Sequence, residues 1–325
     1  MDSMDLEVLS DAVAWLDFGQ HVALITVVQT WGSAPRSVGA LLALRADGRL
    51  SGSVSGGCVE DDLARRFQHA FPTRCEVVQY GGSDEEARRF GLPCGGTLKL
   101  VVEPLDSAAS LRPALDAVAR RELWRRQVCL TTGQARLVPV TADSVAGLDG
   151  EWLTQIFGPR WRILLIGAGQ TSQYLAQMAQ SLDYRVLVCD PRQEYRETWK
   201  VSGVEWMNGM PDDVVREMRP DRRTVILALT HDPKLDDMAL MEALTTDAFY
   251  VGAIGSRSNN ANRRARLARL DLRAEQIARL HGPVGLPIGS RTPPEIALSI
   301  LAELIALRSQ VGFSAIALHR LPALP

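Results

Sequence analysis

The 325-residue chain is poor in cysteine, in aromatic residues and in net charge, and each shortage closes off a class of function. Its five cysteines (Cys58, Cys75, Cys94, Cys129 and Cys189) never come closer than 17 positions, so they form no CxxC pair, zinc-knuckle spacing or even-numbered disulfide framework. Any cysteine chemistry is that of free thiols. With 36 basic against 38 acidic residues, there is no positive surplus for gripping nucleic acid. No apolar run reaches the ~18 residues that suggest a bilayer span. The opening from Met1 to Asp11 is acidic and lacks the grading of a secretory leader, so the cytoplasm is the expected address.

What remains is a globular composition, 46% apolar, with length enough for two domains. The expected fold class is α/β: an N-terminal α+β domain over 1–145, then a Rossmann-like domain with a doubly wound parallel sheet over 159–325. In the first half, helices are expected over Met4–Phe18, Glu60–Ala70 and Ala108–Arg121. Strands are expected at Val22–Gln29, Ala40–Leu44, Cys75–Tyr80, Thr97–Glu103, Gln127–Thr131 and Ala135–Val140. A loose stretch from Ala142 to Gly158 reads as the boundary. Beyond Trp161 strand and helix alternate regularly, from Arg162–Ile166 to a last helix at Pro293–Leu307.

Gly167-Ala168-Gly169-Gln170-Thr171-Ser172 lies between an apolar strand and an amphipathic helix, with Asp190 closing the next strand 21 residues after Gly169. In a Rossmann unit the first glycine makes the tight turn, the second lets backbone approach a pyrophosphate, and the acidic residue meets the ribose. Ser172 departs from the small third position. The turn is equally readable as a packing device with no dinucleotide bound. His231-Asp232 falls at the carboxyl edge of the sheet, where acid-base or metal work and a plain loop turn are both open.

In Ser53-Val54-Ser55-Gly56-Gly57-Cys58-Val59-Glu60 a helix is expected to start near Cys58, and free N–H groups at that end would favour a thiolate. Glu60, Asp61 and Asp62 oppose this, or are simply acids placed in a first turn. Cys94, in Gly91-Leu92-Pro93-Cys94-Gly95-Gly96-Thr97, has a matching glycine setting, where backbone could form a nest for an oxyanion or merely a bulge. Cys75, Cys129 and Cys189 read as buried hydrophobes. Arg36 offers a guanidinium suited to phosphate or carboxylate, or is a solvated loop residue. Thr292-Pro293-Pro294-Glu295 reads as a capped helix start. The arginines of 257–269 lack interleaved aromatics and read as a solvated or protein-docking face.

Taken together these segments resemble the xanthine dehydrogenase accessory family, the XdhC/CoxI proteins. The resemblance is carried by Thr30 to Arg36, Gly52 to Glu60, Gly91 to Gly96, Ile166 to Gly169, Thr230-His231-Asp232, Tyr250 to Arg257 and Gly285 to Glu295. It implies a maturation chaperone, not an enzyme, that binds the molybdenum cofactor as molybdopterin or its cytosine dinucleotide form. Such a chaperone supports sulfuration by a cysteine desulfurase and inserts the cofactor into an apo molybdenum hydroxylase. Under that resemblance Cys58 and Cys94 are the expected metal-shielding thiols. Gly56, Gly57, Gly95, Gly96 and Arg36 would hold the pterin phosphate, and Gly167, Gly169, Asp190 and His231 would serve the nucleotide end. A homodimer is expected. Two other readings stay open: an NAD-dependent oxidoreductase using Asp190 and His231, and a docking protein that recruits the desulfurase through its arginine-rich helix.

Overall fold

The β-branched run that begins at Val22 becomes β1 (Val22–Trp31), the central strand of a five-stranded antiparallel sheet ordered β3-β2-β1-β5-β4. Its neighbours are β2 (Leu41–Arg45), β3 (Leu50–Gly52), β4 (Glu76–Tyr80) and β5 (Thr97–Leu105). Because both faces are covered, Val22–Val28 is buried without alternation. Ala23, Ile25 and Val27 face Leu63 and Phe67 of α2 (Cys58–His69), while Val22 and Leu24 face Val8 and Leu9 of α1 (Ser3–Asp17) and Ala114 of α3 (Arg112–Ala119). A second antiparallel sheet, ordered β7-β6-β9-β8, consists of β6 (Trp124–Cys129), β7 (Ala135–Pro139), β8 (Gly147–Asp149) and β9 (Trp152–Phe157). Val128 and Leu153 of this sheet pack on Val28 and Val101 of the first.

This computed structural model describes residues 1–31, 36–81, 90, 96–140 and 146–309. It divides into two units, Met1–Pro159 and Arg160–Pro325. The loose stretch expected over Ala142–Gly158 contains the hairpin β8-β9, which belongs to the first unit. Its Asp149-Gly150 pair, which looks like a loop in sequence, is the start of a tight hairpin turn with Gly150 at positive φ.

The second unit holds a six-stranded parallel sheet ordered β12-β11-β10-β13-β14-β15, the order of a doubly wound dinucleotide-binding fold. In chain order it runs β10 (Arg162–Ile166), α4 (Gln170–Ser181), β11 (Arg185–Cys189), α5 (Gln193–Glu197), β12 (Glu205–Trp206), α6 (Pro211–Met218) and β13 (Thr224–Ala228). It continues with α7 (Pro233–Ala243), β14 (Tyr250–Ala253), α8 (Arg257–Leu267), α9 (Ala274–Ala278), β15 (Leu280–His281) and α10 (Pro293–Arg308). One face is covered by α4 and α10 through Leu175, Ala179, Ile300 and Leu304, the other by α6, α7 and α8 through Val215, Leu240 and Leu267. Glu295 accepts from Arg291 N and Thr292 N, so the expected capped start of α10 forms.

Three arginines of α8 turn away from the solvated or docking face expected from composition, whereas Arg257 is exposed as expected. Arg263 is buried and donates to Ile254 O and the Asp236 carboxylate, Arg264 donates to the carbonyls of Leu280 and Gly282, and Arg266 forks onto Asp237. Three guanidinium groups therefore tie the helix to its own unit. Among the described residues, no helix is long and apolar enough to cross a membrane.

Candidate functional site

Strand registers gather the first unit's motif-bearing segments at one end of its sheet. Trp31 pairs with Thr97, Tyr80 with Leu98 and Leu42 with Gly52, so the last residues of β1, β3 and β4 and the first of β5 share that end. Gln29, Trp31, Gln79, Thr97 and Lys99 line a small cavity of ≈ 220 Å³ there. Gly96 is buried immediately before β5, whereas Cys94 and Gly95 lie outside the described residues. Trp31 is strongly exposed for so large an apolar side chain, at 71%.

Cys58 is the first residue of α2 and its thiol is exposed, on a loop that Gly56 makes possible by adopting φ +95°. The N–H groups of the loop before this helix do not face the thiol. They converge on Glu60, whose Oε1 accepts from Ser53 Oγ (2.7 Å), Val54 N (2.8 Å), Ser55 N (2.8 Å) and Gly56 N (3.0 Å). Its Oε2 accepts from Gly57 N (2.9 Å) and from Ser55 Oγ. Burial works to raise the Glu60 carboxyl, but the bonds from Ser55, Ser53 and Gly56 outweigh it and hold the group well below the usual carboxylate range. The three-residue spacing from Gly57 to Glu60 is that of the reciprocal half of a capping box and accounts for one of these six bonds.

The other described thiols differ from one another. Cys189 is buried and pushed up to about 12, chiefly by that burial, with Asp190 adding to it. Cys75 is half-buried and pushed up to about 11, first by burial and then by Glu103. Cys129 is also half-buried, so neither it nor Cys75 is the fully buried hydrophobe expected, and a hydrogen bond from Thr132 lowers Cys129. Among the described residues, no group of three or more His, Cys, Asp or Glu side chains is placed to hold a metal ion.

Arg36 is not a solvated loop cation. Its Nη2 lies 3.5 Å from Asp2 Oδ2 and 3.9 Å from Asp5 Oδ1 at the start of α1. Asp5 is pushed up to about 6 by burial and by Asp2, against the Leu41 N–H and the Arg36 guanidinium. A raised folded value means the folded chain keeps this proton longer than the unfolded one, so stability falls as pH rises from 3.8 to about 6 and stays lower above. Asp5→Asn should therefore match the parent at pH 4 and exceed it by about 1–2 kcal/mol at pH 7.5, read from urea midpoints at the two pH values. Equal midpoint differences at both would contradict this.

In the second unit Gly167 adopts φ +103°, and a Cβ there would stand 2.9 Å from the backbone N and Cα of Thr230. This close approach draws the turn after β10 against the turn after β13, which places His231 beside the crossover point of the sheet. His231 is exposed and left-handed at φ +62°, while Asp232 caps α7 by accepting from Lys234 N. Asp190 is engaged within the chain: Oδ2 accepts from Ala168 N (2.9 Å), and Arg192 forks onto both carboxylate oxygens at 2.8 Å. Burial would raise Asp190, yet Arg192 and Ala168 N keep it lowered. Gly169 is different, because its φ is −73° and a Cβ would meet nothing within 4 Å. It borders an open cleft of ≈ 800 Å³ lined also by Gln170, Gln173, Tyr174, Tyr195 and Lys200. Arg192, whose guanidinium lies 4.0 Å from the Tyr195 ring centroid, and Lys200 escaped sequence reading because no fixed spacing links them to the glycine turn.

Two family models match: the XdhC and CoxI family over residues 15–81 and the XdhC Rossmann domain over residues 163–304. The chain belongs to the XdhC and CoxI family. The first XdhC match contains Arg36, Cys58 and Glu60; the second contains the glycine turn, Asp190 and His231. The molybdenum cofactor insertion chaperone PaoD of Escherichia coli K12 is 28% identical over 304 residues, spanning 93% of this chain and 88% of its own. A Bacillus subtilis 168 protein named as a probable xanthine dehydrogenase subunit is 25% identical over 336 residues, spanning 92% and 97%. A crystal structure described as a xanthine dehydrogenase from Bacillus halodurans superposes with a TM-score of 0.71 at 26% identity, covering 96% of this chain and 97% of that one.

Proposed function

We propose that this protein is a non-enzymatic chaperone that carries the molybdenum cofactor to a molybdenum hydroxylase of the xanthine or aldehyde dehydrogenase type. The observation that carries the reading is the exposed Cys58 thiol on a glycine loop at the motif-bearing end of the first sheet. The likeness to PaoD over nearly the whole chain supports it. A thiolate is a soft donor that suits the metal end of such a cargo, and Cys94 is proposed as a second donor. The cleft beside Gly169 is proposed to take the nucleotide end when the cargo is the cytosine dinucleotide form, since no contact among the described residues demands a glycine there. In this reading a cysteine desulfurase supplies the terminal sulfur and an apo hydroxylase is the acceptor.

The engagement of Asp190 by Arg192 and Ala168 N weighs against an NAD-dependent oxidoreductase, because the carboxylate that would recognise ribose hydroxyls is already satisfied. The test is the molybdenum and pterin content of protein purified from a cofactor-producing host. The parent should carry both, and Cys58→Ser should lose about tenfold of the molybdenum with its melting temperature unchanged, a ligand-removal effect of the size seen when a soft donor is exchanged for a hard one. Full molybdenum content in Cys58→Ser would defeat the assignment of that thiol. NADH turnover with no pterin bound would defeat the chaperone reading.

A further inference from the structure

The Ser53–Gly57 segment turns four backbone N–H groups and two hydroxyls toward one point, the kind of concavity that binds phosphate in other proteins. Here the concavity is filled by the chain itself. Both oxygens of Glu60 are saturated with donors, the residue is only 6% exposed, and Asp61 and Asp62 follow on the same turn. An incoming phosphate would have to expel a carboxylate that no other described donor is placed to receive.

We infer that Glu60 is the specificity-determining residue of the cysteine loop: it closes the nest beside Cys58 to phosphate and other anions and leaves the thiol to an electrophilic, metal-bearing partner. Under this inference Gly56 and Gly57 do not cradle the pterin phosphate. The identity of the metal-bearing partner rests on the function proposed above, whereas the exclusion of anions rests on the geometry of Glu60 alone. The cargo's phosphate is thereby directed to donors other than those of the Ser53–Gly57 loop.

The experiment uses the full chain and measures alkylation of Cys58, resolved from the other thiols by mass spectrometry. It uses neutral iodoacetamide and anionic iodoacetate, each with and without inorganic phosphate. The neutral reagent controls for exposure and ionisation of the thiol. In the parent, phosphate should leave both rates unchanged. In Glu60→Gln the iodoacetate-to-iodoacetamide ratio should rise about fivefold, the scale expected when a nearby charge is removed at the protein surface, and phosphate should now slow the reaction. Glu60→Asp, which keeps the charge, should retain the parental ratio. Phosphate protection in the parent, or an unchanged ratio in Glu60→Gln, overturns the inference. The parental phosphate measurement decides it even if Glu60→Gln does not fold. Molybdenum retention in Cys58→Ser fails separately, since it bears on the cargo and not on Glu60.

Discussion

Truncating Arg126 to alanine is expected to destabilise the first unit by about 3–5 kcal/mol, the cost of leaving a buried charge without its partner. Arg126 on β6 is fully buried and forks onto Glu103 of β5, which is itself 3% exposed. The same guanidinium donates to Gln155 of β9 at 2.8 Å, and Gln155 in turn donates to Thr26 of β1 at 2.8 Å. The four side chains thus join the two sheets of the unit through hydrogen bonds, beside the small apolar cluster of Val28, Val101, Val128 and Leu153. The double variant Arg126→Met, Glu103→Leu removes both charges and should recover most of the loss, because desolvating an ion pair offsets much of its own attraction. Urea unfolding of the two variants against the parent measures this. A cost below about 1 kcal/mol for Arg126→Ala would mean that water reaches the pair.

The second large effect separates two glycines that sequence treats alike. Gly167→Ala should destabilise the second unit by about 2–5 kcal/mol, combining a left-handed backbone with a methyl group forced against the Thr230 main chain. Gly169→Ala should cost about 1 kcal/mol or less, since its backbone is ordinary and the space beside it is open. Gly169→Asp should fold equally well yet weaken the cytosine dinucleotide form of the cofactor more than the mononucleotide form, because its carboxylate stands where a pyrophosphate would approach. Thermal melts and binding titrations of both cofactor forms test the set. Equal loss for both forms would remove the nucleotide from this cleft, and equal melting losses for Gly167→Ala and Gly169→Ala would contradict the packing account.

The parallel sheet was legible because its central strands are buried on both faces and therefore read as unbroken apolar runs, Ile163–Ile166 and Val225–Leu229 among them. The edge strands β12 and β15 were not, since two residues each carry no period. The hairpin at 147–157 was hidden by turn residues that look like a linker when strand pairing cannot be seen. At the candidate site, Cys58 stood out by its glycine setting and its place at a helix start. The role of Glu60 did not, because a first-turn acid accepting one N–H and one accepting six donors look identical until the loop folds back over it. Asp190 is a related case: its position in the fold is the ribose-binding one, and sequence does not show that Arg192, two residues on, engages the carboxylate.

Because Asp236 and Asp237 neutralise Arg263 and Arg266, while Arg264 meets only backbone carbonyls, α8 projects less positive potential than its composition suggests. Long-range steering of an acidic partner toward that face is reduced by those two neutralised charges, and what remains comes from exposed groups that salt screens.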